Sequence, residues 1–247
     1  MIIGAGAHYK LNETSGTSIA DSAGTNTGTW AGTGAQGLTS MTAKVGGGLF
    51  FDGGAAGSDV ITAPADPSID IKGKTSYSVS TWIRPASVGR TTGRIIDKAN
   101  NNNATLGYNF LLRDEVAGFT KLQVIIQHAI TDAQARSDAV VPNNLWSHVA
   151  FVYNEDSDGK IKLYLNALLL ALDIDIAGNV IGSPSNDSAL DLNIGNSAAK
   201  DRTFDGTIDN IIIYNRALGI DEIQQQYNLR RHERGRTRTR DRISRNW

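Results

Sequence analysis

From Val60 onward, short runs of alternating apolar and polar residues recur, separated by turn residues. Tyr77–Ile83 is the clearest, followed by Arg94–Lys98, Tyr108–Arg113 and Lys121–His128. Within Trp146–Asn154, Val149 to Tyr153 is apolar at every position, which predicts a central strand buried on both faces. Lys160–Leu165 sets Ile161, Leu163 and Leu165 against Lys160, Lys162 and Tyr164, and Leu168–Asp175, Leu190–Gly195 and Gly206–Tyr214 complete the set. Residues 1–60 are rich in Gly, Thr, Ser and Ala, so any strands there are short. Many short strands with almost no helical periodicity predict a sandwich or a barrel. The segment EDSDG after Asn154 reads as a hairpin loop and Asn100–Asn103 as another exposed loop. The single credible helix is Ile220–Tyr227, with Asp221 and Glu222 in the first turn, where the helix dipole favours negative charge.

Several segments are specific enough to compare. The opening Tyr9–Gly16 (YKLNETSG), then Ile19–Gly24 (IADSAG) and Asn26, resembles the start of laminin G-like domains of the concanavalin A-like superfamily. Further similar pieces follow in the family's order: Leu49–Gly53, Tyr77–Ile83, Trp146–Tyr153, Ile161–Asn166, Leu192–Gly195 and Phe204–Leu218. The resemblance spans residues 8–228 and implies an all-β jelly-roll sandwich of two antiparallel sheets with one short C-terminal helix. It divides the chain into a domain of residues 1–229 and an arm of residues 230–247. Trp82 and Trp146 lie inside strand patterns and are expected to fill the core, and Phe204–Leu218 is expected to return beside the beginning of the chain. Two positions depart from the family pattern. Asn166-Ala167 stands where Asn-Gly is usual, so another turn geometry is expected there. Gly219 stands where Ser or Thr usually caps the last helix, so that helix should lean on packing and on Tyr227.

Composition narrows the chemistry. The 247 residues are 40% hydrophobic and contain no Cys, which excludes disulfide scaffolding, thiolate metal sites and thiol catalysis. No run approaches the ~18 apolar residues of a membrane span, and no membrane partner is expected. The start MIIGAGAHYK lacks a basic segment followed by an apolar stretch, so no secretory leader is expected. The near-neutral total conceals an asymmetry. Arg230, Arg231, Arg234, Arg236, Arg238, Arg240, Arg242 and Arg245 face only Glu233 and Asp241, and the chain ends at Trp247. The remaining residues carry a net charge of about −7.

Glycan-cleaving enzymes of this superfamily generally place carboxylates two and four residues apart on one strand. Of Glu13, Glu115, Glu155, Glu222 and Glu233, no two have that spacing, and Asp173/Asp175 and Asp156/Asp158 lie outside any acid-bearing motif. No catalytic residue is assigned. His8, His128, His148 and His232 show no metal spacing, and a hydrogen-bonded structural role is expected for His148. The resemblance implies a structural Ca²⁺, with Asp21, Asn26 and Asp209 at matching positions and Asp52 as a weaker candidate. Glycan binding would use exposed loop aromatics, for which Trp30 and Phe119 are the candidates.

These readings converge on a non-enzymatic structural or adhesion protein, a decoration or fibre-type component of a phage or viral particle. Its arm would dock onto other subunits, homo- or hetero-oligomeric, and its loops would bind host-surface glycans; nucleic acid is the less favoured partner of the arm. The expected location is the virion surface. The alternatives are a free carbohydrate-binding lectin in an extracellular setting and, less favoured, a glycosidase or polysaccharide lyase.

Overall fold

The computed structural model describes residues 4–32, 43–54, 59–100, 105–156, 160–176 and 182–228. The basic arm of residues 230–247 lies outside the described residues, as do Asp158 and Asn101–Asn103. Among the described residues sixteen strands form in chain order: β1 (Ala5–Tyr9), β2 (Ser18–Ile19), β3 (Gly28–Ala31), β4 (Leu49–Asp52), β5 (Val60–Ala63), β6 (Ser76–Pro85), β7 (Arg94–Ala99) and β8 (Gly107–Val116), followed by β9 (Phe119–Ile126), β10 (Ala133–Pro142), β11 (Ser147–Asn154), β12 (Ile161–Leu165), β13 (Leu168–Leu169), β14 (Leu172–Asp175), β15 (Leu192–Ile194) and β16 (Asp205–Tyr214). The one helix among the described residues, α1, covers 220–228.

The strands make two antiparallel sheets, as expected. The seven-stranded sheet runs β1-β16-β6-β11-β12-β13, with β4 lying end to end with β1 along β16. The nine-stranded sheet runs β14-β10-β9-β8-β7-β15-β5-β3-β2. Alternation decides what lies between them. In the larger sheet Ile61, Ile194, Ile96, Phe110 and Val124 follow one another in register across five strands, and all lie in the core. They meet Tyr77, Val79, Val149, Phe151 and Tyr153 of the smaller sheet. Phe151 contacts the rings of Tyr77, Tyr108 and Phe110, with centroids 5.4–6.4 Å apart. β16 returns beside β1, pairing Tyr9 with Ile211.

A second, smaller core forms on the outer face of the seven-stranded sheet. Ile223 of α1 packs with Ala150, Val152, Tyr164, Ile212, Tyr214 and Leu218. Tyr227 stacks on Trp82 at 5.6 Å, and Lys44 Nζ lies 4.3 Å from the centre of the same indole. The Gly219 start is stronger than its sequence implies. Glu222 reaches back to accept the Gly219 N–H at 3.0 Å, one half of a capping box, and both its oxygens take the Arg216 guanidinium.

Four local readings need correction. Leu168–Asp175 is not one strand: it breaks at Leu170–Ala171, and its halves join different sheets. β10 escaped notice because a register shift between Arg136 and Val140 interrupts its alternation. Trp146 is only half-buried, one residue before β11, because it lies outside the paired segment. The β12–β13 connection remains a two-residue turn: Asn166 and Ala167 both take positive φ (51° and 64°), so alanine adopts the geometry usually given to glycine.

Candidate functional site

Residues facing away from the core on the nine-stranded sheet form a transverse row that is polar at five of its six positions. Thr62, Asn193, Asp97, Asn109, Ile125 and Gln134 are successive partners on β5, β15, β7, β8, β9 and β10. Each is one position out of phase with the core row, so all six project to the outer face. Five inter-strand steps make the row roughly 24 Å long. Its centre is deeply set, with Asn193, Asp97 and Asn109 exposed by 5%, 1% and 3%. A buried position on a sheet face ordinarily holds an apolar side chain, because a polar one must be hydrogen-bonded to offset its lost hydration.

Most of the row meets that demand internally. Thr62 Oγ1 donates to Asn193 Oδ1 at 3.1 Å. The Asp97 carboxylate accepts from Arg94 Nε at 2.9 Å and from the Ala99 N–H at 3.2 Å. Burial still raises the Asp97 carboxyl to about 6, and the adjacent guanidinium only partly offsets it. Farther along, Arg113 donates to Gln123 Oε1 at 2.7 Å, and Gln123 Nε2 donates to Gln134 Oε1 at 3.4 Å. Asn109 Oδ1 is the exception, buried without a hydrogen-bond partner among the described residues. The row thus sets amides, a hydroxyl and one carboxylate side by side on a single outer face of the sheet.

The carboxylates expected to bind calcium are each engaged with backbone N–H groups. Asp21 and Asn26 are together: Asp21 accepts the N–H groups of His8 (2.8 Å), Ala23 (2.9 Å) and Asn26 (3.3 Å). Asp209 Oδ2 instead accepts the N–H groups of Lys44 (2.9 Å) and Val45 (2.6 Å). Asp52 closes an Asx-type turn onto the Gly54 N–H and pairs with Asp205. Six residue steps along β16 lead from Asp205 to Ile211, the partner of Tyr9, so Asp52 lies roughly 20 Å from the Asp21 loop. Among the described residues, no three His, Asp or Glu side chains gather as metal ligands.

The residue that joins β16 to the Asp21 loop is Asn210. Its φ of 55° marks a bulge between Asp209 and Ile212, and Asn210 Oδ1 accepts from His8 Nε2 at 2.7 Å. Ser22 Oγ lies 3.0 Å from the other nitrogen of that ring. Burial lowers the His8 pKa, partly opposed by the Asn210 hydrogen bond. Two successive polar residues in the apolar run Ile208–Ile213 were the available signal for this bulge.

The aromatic candidates separate. Trp30 is not an exposed loop aromatic: it sits in β3, 4% exposed, edge-on to Phe51 at 5.4 Å, because its strand alternation turns it into the core. Phe119 is 43% exposed, but it opens β9 at a hairpin tip, six residues and roughly 20 Å from Ile125 in the polar row. Asp173 is taken up by Arg136 and Lys121 in surface ion pairs. His148 has the structural role expected of it: it is buried, with Nε2 2.9 Å from Ser80 Oγ, and desolvation pushes its pKa down to about 3.

A two-sheet sandwich with one polar outer face defines the general class, and comparison makes it specific. Residues 52–224 match the concanavalin A-like lectin/glucanases superfamily, and the chain belongs to that family. No curated protein matches the chain. Among solved structures it is similar to the binding domain of Paraclostridial Mosquitocidal Protein 1 (18% identity, TM-score 0.66, 91% of this chain and 52% of that one). It is also similar to domain 4 of AbnA, a GH43 extracellular arabinanase from Geobacillus stearothermophilus, solved with arabinotriose (21%, 0.62, 90% and 97%). A third is the binding domain of botulinum neurotoxin serotype G (15%, 0.63, 91% and 51%). The chain thus spans about half the length of the two toxin binding domains. At these identities the likeness is one of fold.

Proposed function

We propose that this protein is a non-catalytic carbohydrate-binding domain, with the polar row of the nine-stranded sheet as its sugar-facing floor. The observation that carries the reading is the row itself, which sets hydroxyl and amide groups side by side on one outer face of the sheet. Ligand hydroxyls would meet its partly exposed members, Thr62 and Gln134, on either side of the buried centre. The similar arabinanase domain bound to arabinotriose supports a neutral oligosaccharide as ligand. So does the charge balance at the centre, where Arg94 and Asp97 neutralise each other.

Support for a non-catalytic role lies in the carboxylates. Glycoside hydrolysis needs two in complementary states flanking the bond. Asp97 has one oxygen on Arg94 and the other on Ala99, while Asp201, whose charge also reaches Asp97, accepts from Ser197 Oγ at 2.9 Å. Calorimetric titration with arabinotriose and a neutral-glycan array tests the reading. Binding that weakens about tenfold in Gln134→Ala, with no release of reducing ends and an unchanged melting temperature, is expected, in line with the usual cost of one lost hydrogen bond. Absence of binding to every glycan, or binding indifferent to Gln134→Ala, refutes it.

The finer reading, a component of a phage or viral particle held by its arm, rests on the contrast between the arginine-rich tail and the acidic remainder. Calcium is retained as a proposal for the Asp21–Asn26 loop alone, where backbone carbonyls would supply most of the shell. A melting temperature raised by calcium and lowered by chelation supports it, and an unchanged curve removes it.

A further inference from the structure

A lysine occupies a core position between the two sheets. Lys98 lies on β7 two residues after Ile96 and opposite Tyr108, so strand alternation turns it inward, and its side chain is fully buried. Two carboxylates reach it from connecting segments. Asp70, between β5 and β6, has Oδ1 2.9 Å from Lys98 Nζ, and Asp187, between β14 and β15, has Oδ2 at 3.4 Å. Ile69 and Ile71 beside Asp70, and Tyr108 beside Lys98, are fully buried. Tyr77 and Tyr108 bring their hydroxyls within 2.6 Å of each other, and Tyr77 donates to Ile69 O at 2.9 Å. Both phenol protons are thereby used, and neither goes to a carboxylate.

The two carboxylates are held in different ways. Asp187 accepts the N–H groups of Ile71 and Lys72, each at 3.0 Å, and its backbone carbonyl accepts from Lys98 Nζ at 2.6 Å. Asp187 therefore fixes both the amine and the residues that directly follow Asp70. Asp70 Oδ1 is buried and, although 2.9 Å from Nζ, makes no hydrogen bond among the described residues. The amine touches this carboxyl group without being aligned on its oxygen. In a water-poor interior such a pair is expensive, because attraction offsets lost hydration only where the hydrogen bonding is well formed. Joining the two groups as an amide removes both charges from the site.

We propose that Lys98 and Asp70 condense into an intramolecular amide, with Asp187 as the proton carrier. One proton passes from the Lys98 ammonium group to the Asp70 carboxylate. The freed nitrogen lone pair then bonds to Asp70 Cγ, which is attached to an oxygen the amine already contacts. Asp187 takes a second proton from Nζ and delivers it to the hydroxyl group on Cγ. The C–O bond breaks, its electron pair leaves with the oxygen, and water departs while Nζ keeps its third proton as the amide N–H. Atoms and charge balance with no co-reactant. Desolvated lysine amines act as nucleophiles in covalent catalysis, and fixed contact replaces a bimolecular encounter. The bond would close Asp70–Lys98 into a ring containing β6 of one sheet and β7 of the other, so it would link the two layers covalently. It lies in the interior and does not depend on the glycan reading of the outer face.

Mass spectrometry of the full chain tests it. The denatured parent should be lighter than its sequence by the mass of one water molecule. Trypsin should leave Lys98 uncut and release a branched peptide joining residues 45–72 to residues 95–113 through Asp70 and Lys98. Lys98→Met should show the full sequence mass. Asp187→Asn, checked for folding by near-ultraviolet circular dichroism, should also keep the full mass. A folded parent at full sequence mass overturns the inference, whether or not the variants fold. So does a loss of water that persists in Lys98→Met, since a cyclised aspartate elsewhere would then be its source. A branch mapped to Asp187 overturns the choice of Asp70 as the acceptor, and complete condensation in Asp187→Asn overturns the proton-carrying role.

Discussion

Two alanines in left-handed conformation make a paired test of how backbone and packing trade off. Ala117 (φ 51°) and Ala167 (φ 64°) both sit in two-residue hairpin turns. A Cβ there costs roughly 1–2 kcal/mol, which glycine relieves, while glycine's extra freedom in the unfolded chain takes back about 0.5–1 kcal/mol. Ala117 is exposed, so Ala117→Gly should stabilise by about 0.5–1 kcal/mol, or about 2 °C for a domain of this size. Ala167 is 6% exposed and its methyl packs in the outer core with Tyr164 and Ile223. Losing that methyl costs about 0.8 kcal/mol, so Ala167→Gly should be close to neutral. Urea unfolding and thermal scans of both variants measure the difference. Equal shifts at the two sites, or destabilisation by Ala117→Gly, would show that turn strain and methyl burial do not add as reasoned.

Three further outcomes follow from buried groups. The Asp97 carboxyl titrates near 6 in the fold against 3.8 when unfolded, so its contribution is complete below 3.8 and lost as pH rises through 6; relative to Asp97→Asn, the parent should lose up to about 3 kcal/mol between pH 3.5 and 7 in urea titrations. Lys98 is fully buried, 2.9 Å from Asp70 and 3.4 Å from Asp187, so Lys98→Met should destabilise by about 3–5 kcal/mol by stranding two carboxylates, and a smaller loss by calorimetry would mean water reaches them. Tyr227→Ala removes the ring stacked on Trp82 and should cost about 1–2 kcal/mol, visible as increased Trp82 fluorescence quenching by acrylamide; unchanged quenching would show that α1 keeps its seat without the ring.

Strands that alternate cleanly were legible because each residue's face follows from its neighbour's. Tyr77–Ile83 and Val149–Tyr153 became β6 and β11, the latter between two other strands as its all-apolar stretch required. Irregularity hid β10, whose bulge shifts the period, and disguised the break in Leu168–Asp175, where Leu169 and Leu172 serve different sheets. Trp30 misled because the Gly and Thr around it signal turn, while its burial depends on Phe51, twenty-one positions away. The polar row was invisible for a related reason. Asn193, Asp97 and Asn109 are each unexceptional within their own strands, and only the register of two pairings sets them side by side. The arginine tail, in contrast, was plain from composition.

The Trp82–Tyr227 stack governs how the domain would bear a mechanical load. α1 lies lengthwise beside β6, so traction on the tail along the sandwich axis drags Ile223 and Tyr227 across their seats together, in shear. Traction perpendicular to the sheet instead lifts Tyr227 first and peels the helix one turn at a time. Single-molecule pulling in the two geometries should therefore give a high rupture force lengthwise and a low one crosswise, making α1 a clutch whose grip depends on the direction of tension.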